Sequence, residues 1–102
     1  MKRGLRASIF LGEDDVFEHH PLHHEIVTRA HKTGMAGATV LRGVEGYGAS
    51  SLIHTTRLLS LADNLPVIVI LVDEPAKVRG FLDEIGDLLT EATVVVDEVE
   101  VR

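Results

Sequence analysis

Leu65-Pro66-Val67-Ile68-Val69-Ile70-Leu71-Val72 is the stretch that decides the fold. From Val67 to Val72 every residue is aliphatic, and a run this short reads as a buried strand, not as a bilayer span. Period-two geometry sends Val67, Val69 and Leu71 to one face and Ile68, Ile70 and Val72 to the other. A strand greasy on both sides needs cover on both sides. Leaving one set of three exposed forgoes roughly 1.5–3 kcal/mol per side chain, or about 4–9 kcal/mol per chain. That is a strong drive toward self-association, unless Leu52 to Asn64 folds back over the same face.

Downstream, Pro75 suits the start of a helix, with Asp73 or Glu74 near its cap. Val78, Phe81, Leu82, Ile85, Leu88 and Leu89 recur at helical spacing and predict one helix with a buried stripe. Thr93 to Val101 reads as the last strand. Its apolar phase shifts from Val94 and Val96 to Val99 and Val101, which predicts a bulge near Asp97 and Glu98.

Upstream, Leu5 to Leu11 is a first strand in which Leu5, Ala7, Ile9 and Leu11 alternate with Arg6, Ser8 and Phe10. Glu13-Asp14-Asp15 continues as a solvated loop. Pro21 opens the first helix, Leu22, Ile26, Val27 and Ala30 line its apolar face, and Gly34 is a C-terminal stop. A second strand follows from about Ala36 to Val44. The order βαββαβ predicts an α+β, ferredoxin-like sandwich: a four-stranded antiparallel sheet with two helices on one face. Residues 1–102 fit a single domain.

The chain has no cysteine, which excludes disulfides, thiolate metal sites and thiol nucleophiles. Acidic residues outnumber Lys and Arg 16 to 10, for a formal charge of −6, so general nucleic-acid binding is not expected. The basic start leads into a strand and not a secretory signal, so the expected location is cytoplasmic, without membrane insertion.

Between the second and third strands lies Gly43-Val44-Glu45-Gly46-Tyr47-Gly48-Ala49-Ser50-Ser51. It lacks the Gly-Lys-Ser/Thr ending of a phosphate-binding P-loop and the helix-opening spacing of a dinucleotide fingerprint. It reads as a ligand- or partner-contacting loop or as a plain connection. Arg42, Ser50, Ser51, His54 and Arg57 are the candidate contacts, and the two arginines suit an anion best. Ser50 or Ser51 with His54 and Asp63 is too generic a list to indicate a catalytic triad.

His19, His20, His23 and His24 form two i,i+4 pairs, and that spacing on one helix can share a divalent metal, His20 with His24 for example. Pro21, however, places the helix start between the members of each pair.

Further residues carry a family resemblance. Gly37-Ala38-Thr39-Val40-Leu41-Arg42-Gly43-Val44-Glu45-Gly46-Tyr47-Gly48, then Ser51, His54, Arg57-Leu58-Leu59 and Asp63-Asn64-Leu65-Pro66-Val67, resemble the PII-like family catalogued as domain of unknown function 190. Pro21-Leu22 and Val72-Asp73 fit as well. The resemblance implies a ferredoxin-like fold, a homotrimer and a signalling or regulatory role without catalysis. In PII signalling proteins ATP or ADP binds between subunits, held by the loop after the second strand and by a glycine-rich loop before the last strand. The first loop has its counterpart in Gly43 to Ile53, so the implied ligand contacts are Arg42, Gly43, Gly46, Gly48, Ser50, Ser51, His54 and Arg57. The implied effector is a small anion such as an adenine nucleotide, and the implied partner a protein such as a membrane transporter or channel. The second loop departs from the pattern: Leu89-Thr90-Glu91-Ala92-Thr93 has neither glycine nor a basic residue. Two alternatives stay open: a metal-handling role through His19 to His24, as in copper-tolerance relatives of this fold, and a structural adaptor without a ligand.

Overall fold

The computed structural model describes residues 2–48 and 65–102. Strands β1 (Lys2–Gly12), β4 (Ala38–Arg42), β5 (Pro66–Asp73) and β6 (Thr93–Val101) form one sheet in the order β4-β5-β1-β6. Every neighbouring pair is antiparallel. Helices α1 (Leu22–Lys32) and α2 (Pro75–Glu84) pack on one face, giving the ferredoxin-like βαββαβ arrangement. No helix among the described residues is long and apolar enough to cross a membrane.

The core lies between that face and the helices. Leu5, Ala7, Ile9 and Leu11 of β1 and Val67, Val69 and Leu71 of β5 are buried there against Leu22, Ile26 and Ala30 of α1. Val78 and Phe81 of α2 close the other half, with Ile85 and Leu88 beyond it. The alternation read from the sequence is therefore the alternation of the sheet. Gly34 ends α1 with a left-handed φ of +82°, which a residue without Cβ adopts freely.

The opposite face has no described element packed on it. Across the sheet it presents Leu41, Ile68 and Phe10 in one row and Thr39, Ile70, Ser8 and Val95 in the next. A third row is Val72, Arg6 and Asp97, and there the Arg6 guanidinium grips the Asp97 carboxylate with bonds of 3.1 and 2.7 Å. Leu41 and Val95 are 48% and 47% exposed, whereas Ile68, Ile70 and Val72 are half-buried. The gain from covering this face is thus smaller than full exposure implies, but it remains favourable. Residues 52–64, the alternative cover, lie outside the described residues.

Four local expectations change. No bulge interrupts β6: its register with β1 is unbroken from Lys2 opposite Val101 to Phe10 opposite Thr93. The apolar phase shifts because the helix layer ends, and there Glu98 meets Arg3 in solvent at 3.3 Å. Helix α2 stops at Glu84, and Gly86–Leu88 forms a 3-10 turn that still directs Leu88 into the core. A glycine at position 86 makes a further α-turn costly. Strand β4 is shorter than the apolar run, and Val44 beyond it is 90% exposed. Finally, a small hairpin, β2 (Val16–Phe17) with β3 (His20–Pro21), precedes α1. Its two-residue turn holds Glu18 and His19 at φ of +48° and +70°, the twist a tight hairpin requires.

Asp73 locks three elements at one end of the sheet. Its carboxylate accepts the backbone N–H of Ala36 at 2.8 Å and of Glu74 at 2.7 Å, and it pairs with Lys77 at 3.4 Å. Lys77 also donates to the Gly34 carbonyl at 3.0 Å. Burial works to raise the Asp73 carboxyl, but the two backbone donors and the Lys77 ammonium outweigh it and hold the pKa below the ordinary value. A lowered native-state pKa contributes stability that is complete above the unfolded value, about 4, and is withdrawn as pH falls through the native one. Asp73→Asn is expected to lose about 1–2 kcal/mol at neutral pH, because bonds to a charged acceptor are the stronger ones. Urea unfolding at several pH values checks this, and the variant's stability should depend less on pH below about 4.

Candidate functional site

The far end of the sheet, where β1 and β4 finish and β5 begins, gathers the candidate ligand residues. Arg42 is the last residue of β4, in register with Val67 of β5. Gly43 leaves the strand by donating its N–H to the Pro66 carbonyl at 2.7 Å. A Cβ on Gly43 would stand 2.8 Å from Pro66 Cγ and 3.3 Å from Pro66 O, and one on Gly46 would stand 3.1 Å from Pro66 Cγ. These two glycines therefore let the chain close over the proline ring. Gly48 serves differently, holding a φ of +101° in open space. Val44 and Tyr47 project from this segment and are 90% and 81% exposed.

Arg42 is already paired. Its guanidinium Nη2 bonds Oε2 of Glu13, across the start of β5. Glu13 is fixed in turn, because its own N–H donates to the Leu65 carbonyl at 2.8 Å. The turn between them is closed by Asp15, whose carboxylate accepts the Gly12 N–H at 3.0 Å. The expected solvated acidic loop thus supplies a partner to the leading candidate cation. Register arithmetic would have found it, since Gly12 faces Pro66 and Arg42 faces Val67 on either side of β5.

A groove of about 310 Å³ opens at the same end on the helix side. Val16, Phe17, Leu22 and Leu88 give it an apolar floor, while Asp14, Asp15, Asp87 and Glu91 make it acidic. Arg29 braces its walls: it bonds Glu25 at 3.1 Å and Asp87 at 3.3 Å, and stacks over the Phe17 ring at 5.3 Å. Its hydrogen bond to Glu25 raises the Arg29 pKa against the opposing effect of burial, with Asp87 adding to the rise. The α2–β6 connection contributes Glu91 and no cation. Phosphate is disfavoured on that side.

Of the eight residues expected to contact a ligand, Arg42, Gly43, Gly46 and Gly48 are gathered at this end, and Ser50, Ser51, His54 and Arg57 lie outside the described residues. The histidines do not share one helix. His19 sits in the hairpin turn and His20 in β3, while His23 and His24 begin α1, so neither i,i+4 pair has helical geometry. Both His20 and His24 are exposed. Among the described residues no three His, Asp or Glu side chains are grouped to hold a metal.

Residues 4–101 match the family described as DUF190, Uncharacterized ACR. The chain belongs to this family. A UPF0166 protein of Aquifex aeolicus is 42% identical over 77 residues, covering 76% of this chain and 73% of that one. Among solved structures, a protein of Thermus thermophilus described as PII-like in signalling superposes with a TM-score of 0.65 at 12% identity, covering 97% of this chain and 89% of its own. CPII of Thiomonas intermedia, a nitrogen regulatory PII-like protein bound to ADP, AMP and bicarbonate, superposes with a TM-score of 0.63 at 17% identity, covering 98% and 89%. At such identities the likeness is one of fold.

The glycine turn around Pro66 yields a direct test. Gly43→Ala is expected to lose about 1–3 kcal/mol, the usual cost of overpacking a closed site. Adding Pro66→Ala removes the ring atom in the way and should restore part of the loss. Denaturant midpoints of both single variants and the double variant give the coupling.

Proposed function

We propose that this chain is a non-enzymatic PII-like regulatory protein, one domain spanning 1–102, that acts in the cytoplasm as a homotrimer. Copies meet through the uncovered face of the sheet, burying Ile68, Ile70, Val72 and their neighbours. A small anionic effector, with an adenine nucleotide as the leading class, binds at the cleft between subunits. Its binding changes docking through the loop 43–53 on a protein partner, of which a membrane transporter or channel is one kind. Such control requires the effector to favour one loop state over another.

The observation that carries this reading is one of placement. Arg42 and the glycine turn lie on the β4 edge, and the α2–β6 connection lies at the same end of the sheet but on the β6 edge, with β5 and β1 between them. A pocket walled by both needs a neighbouring copy to bring the edges together. The ligands named for the Thiomonas protein, ADP, AMP and bicarbonate, are all anions of the class proposed. Because the β6 side here is acidic, the phosphates are held from the β4 side by Arg42, and Arg57 is the second cation that the resemblance implies as a ligand contact.

Thermal unfolding of the wild type with ADP, AMP or bicarbonate tests the proposal. A ligand at one hundred times its Kd is expected to add about 2.7 kcal/mol of stability. Arg42→Ala and Arg57→Ala should each weaken binding roughly tenfold, the worth of one charge-assisted bond. Absence of stabilisation by all three compounds would contradict the ligand assignment.

A further inference from the structure

Resting on that reading, we infer that Glu13 is a built-in competitor for the effector, occupying Arg42 until an anion displaces it. Position and charge both point this way. Arg42 ends β4 immediately before the glycine turn, so a phosphate or carboxylate lying against that turn would use its guanidinium. The guanidinium is already given to a carboxylate of the same chain. The two ends of this ion pair differ in freedom. The Glu13 side chain is 26% exposed on a backbone tied to Leu65, while that of Arg42 is 64% exposed and long enough to swing. The partner that moves is therefore the arginine.

Two consequences follow from elementary electrostatics. An entering anion must outbid Glu13, which sets a threshold against weakly charged or singly bound ligands and favours those that offer two oxygens to the guanidinium fork. Release of Arg42 also frees Glu13, whose charge then repels the same anion, so affinity is tuned downward twice by one residue. Because the Arg42 end of the pair is largely solvent-exposed, its strength is modest and it is screened by salt. It acts as an adjustable gate and not as a lock. Glu13 is then a specificity-determining residue contributed by the turn after β1, which the family resemblance did not assign.

Calorimetric titration with ADP and, separately, with inorganic pyrophosphate tests this on four proteins: wild type, Glu13→Gln, Arg42→Ala and the double variant. Glu13→Gln is expected to bind each probe roughly threefold to tenfold more tightly at low salt, with the gain shrinking as salt rises. In the Arg42→Ala background only the direct repulsion is left to relieve, so the same substitution should give a clearly smaller gain. If Arg42→Ala weakens binding but Glu13→Gln leaves it unchanged, the competitor role is overturned while the ligand site stands. An equal gain in both backgrounds reduces Glu13 to a distant charge and also overturns it. Failure of all four proteins to bind either probe overturns the ligand site and the competitor together.

Discussion

Strand β5 sits inside the sheet with aliphatic side chains on both of its faces, and the described residues supply helices for one face. Val67, Val69 and Leu71 are buried under α1 and α2, while Ile68, Ile70 and Val72 are half-buried on the face where no described element packs. Apolar area left in water is unfavourable at roughly 25 cal/mol per Å², which favours covering this face. How that imbalance is resolved decides the assembly and, through it, the site. If copies of the chain cover each other, the sheet edges become neighbours across an interface and the residues at the sheet end acquire a second wall. The Arg6–Asp97 pair in the middle of the face gives such an interface a polar element whose partner is internal, so it can be covered without leaving a charge unpaired.

At the end of the sheet, charge sorts the two prospective walls. The β4 side holds Arg42 beside a glycine turn closed over Pro66. The α2–β6 side carries Asp87 and Glu91 in an acidic groove. An anion shared between them would be held from one side and repelled by the other. That asymmetry departs from the pattern the family resemblance implies, in which a second glycine-rich loop helps hold the nucleotide. Glu13 extends the acidic character up to Arg42 itself. A fold shared with PII-like structures is therefore compatible with a different balance of ligand affinities.

Most of the fold was legible because the signals were periodic or covalent. Alternation in β1 and β5 determined which side chains point to the helices, Pro21 and Pro75 marked where the helices begin, and the last strand spans Thr93–Val101 as read. The β2–β3 hairpin was not legible: two-residue strands carry no periodicity, and Glu18-His19 is not a sequence that advertises a tight turn. The supposed bulge came from reading apolar phase as geometry, when Glu98 is polar simply because no helix lies above it. Arg42 and the glycines were recognisable from the family pattern. Glu13 was not, since its meeting with Arg42, 29 residues away, depends on a register that composition does not reveal. Ser50, Ser51, His54 and Arg57 fall on residues outside those described, so their part in the site rests on the resemblance.

Analytical ultracentrifugation of the purified chain at micromolar concentration tests the covering of the sheet most directly. The expected result is a single species of about three times the 11.1 kDa chain mass, split into smaller species when Ile70 is replaced by Asp. A well-folded wild-type monomer at that concentration would contradict it, and the shared pocket would have no second wall.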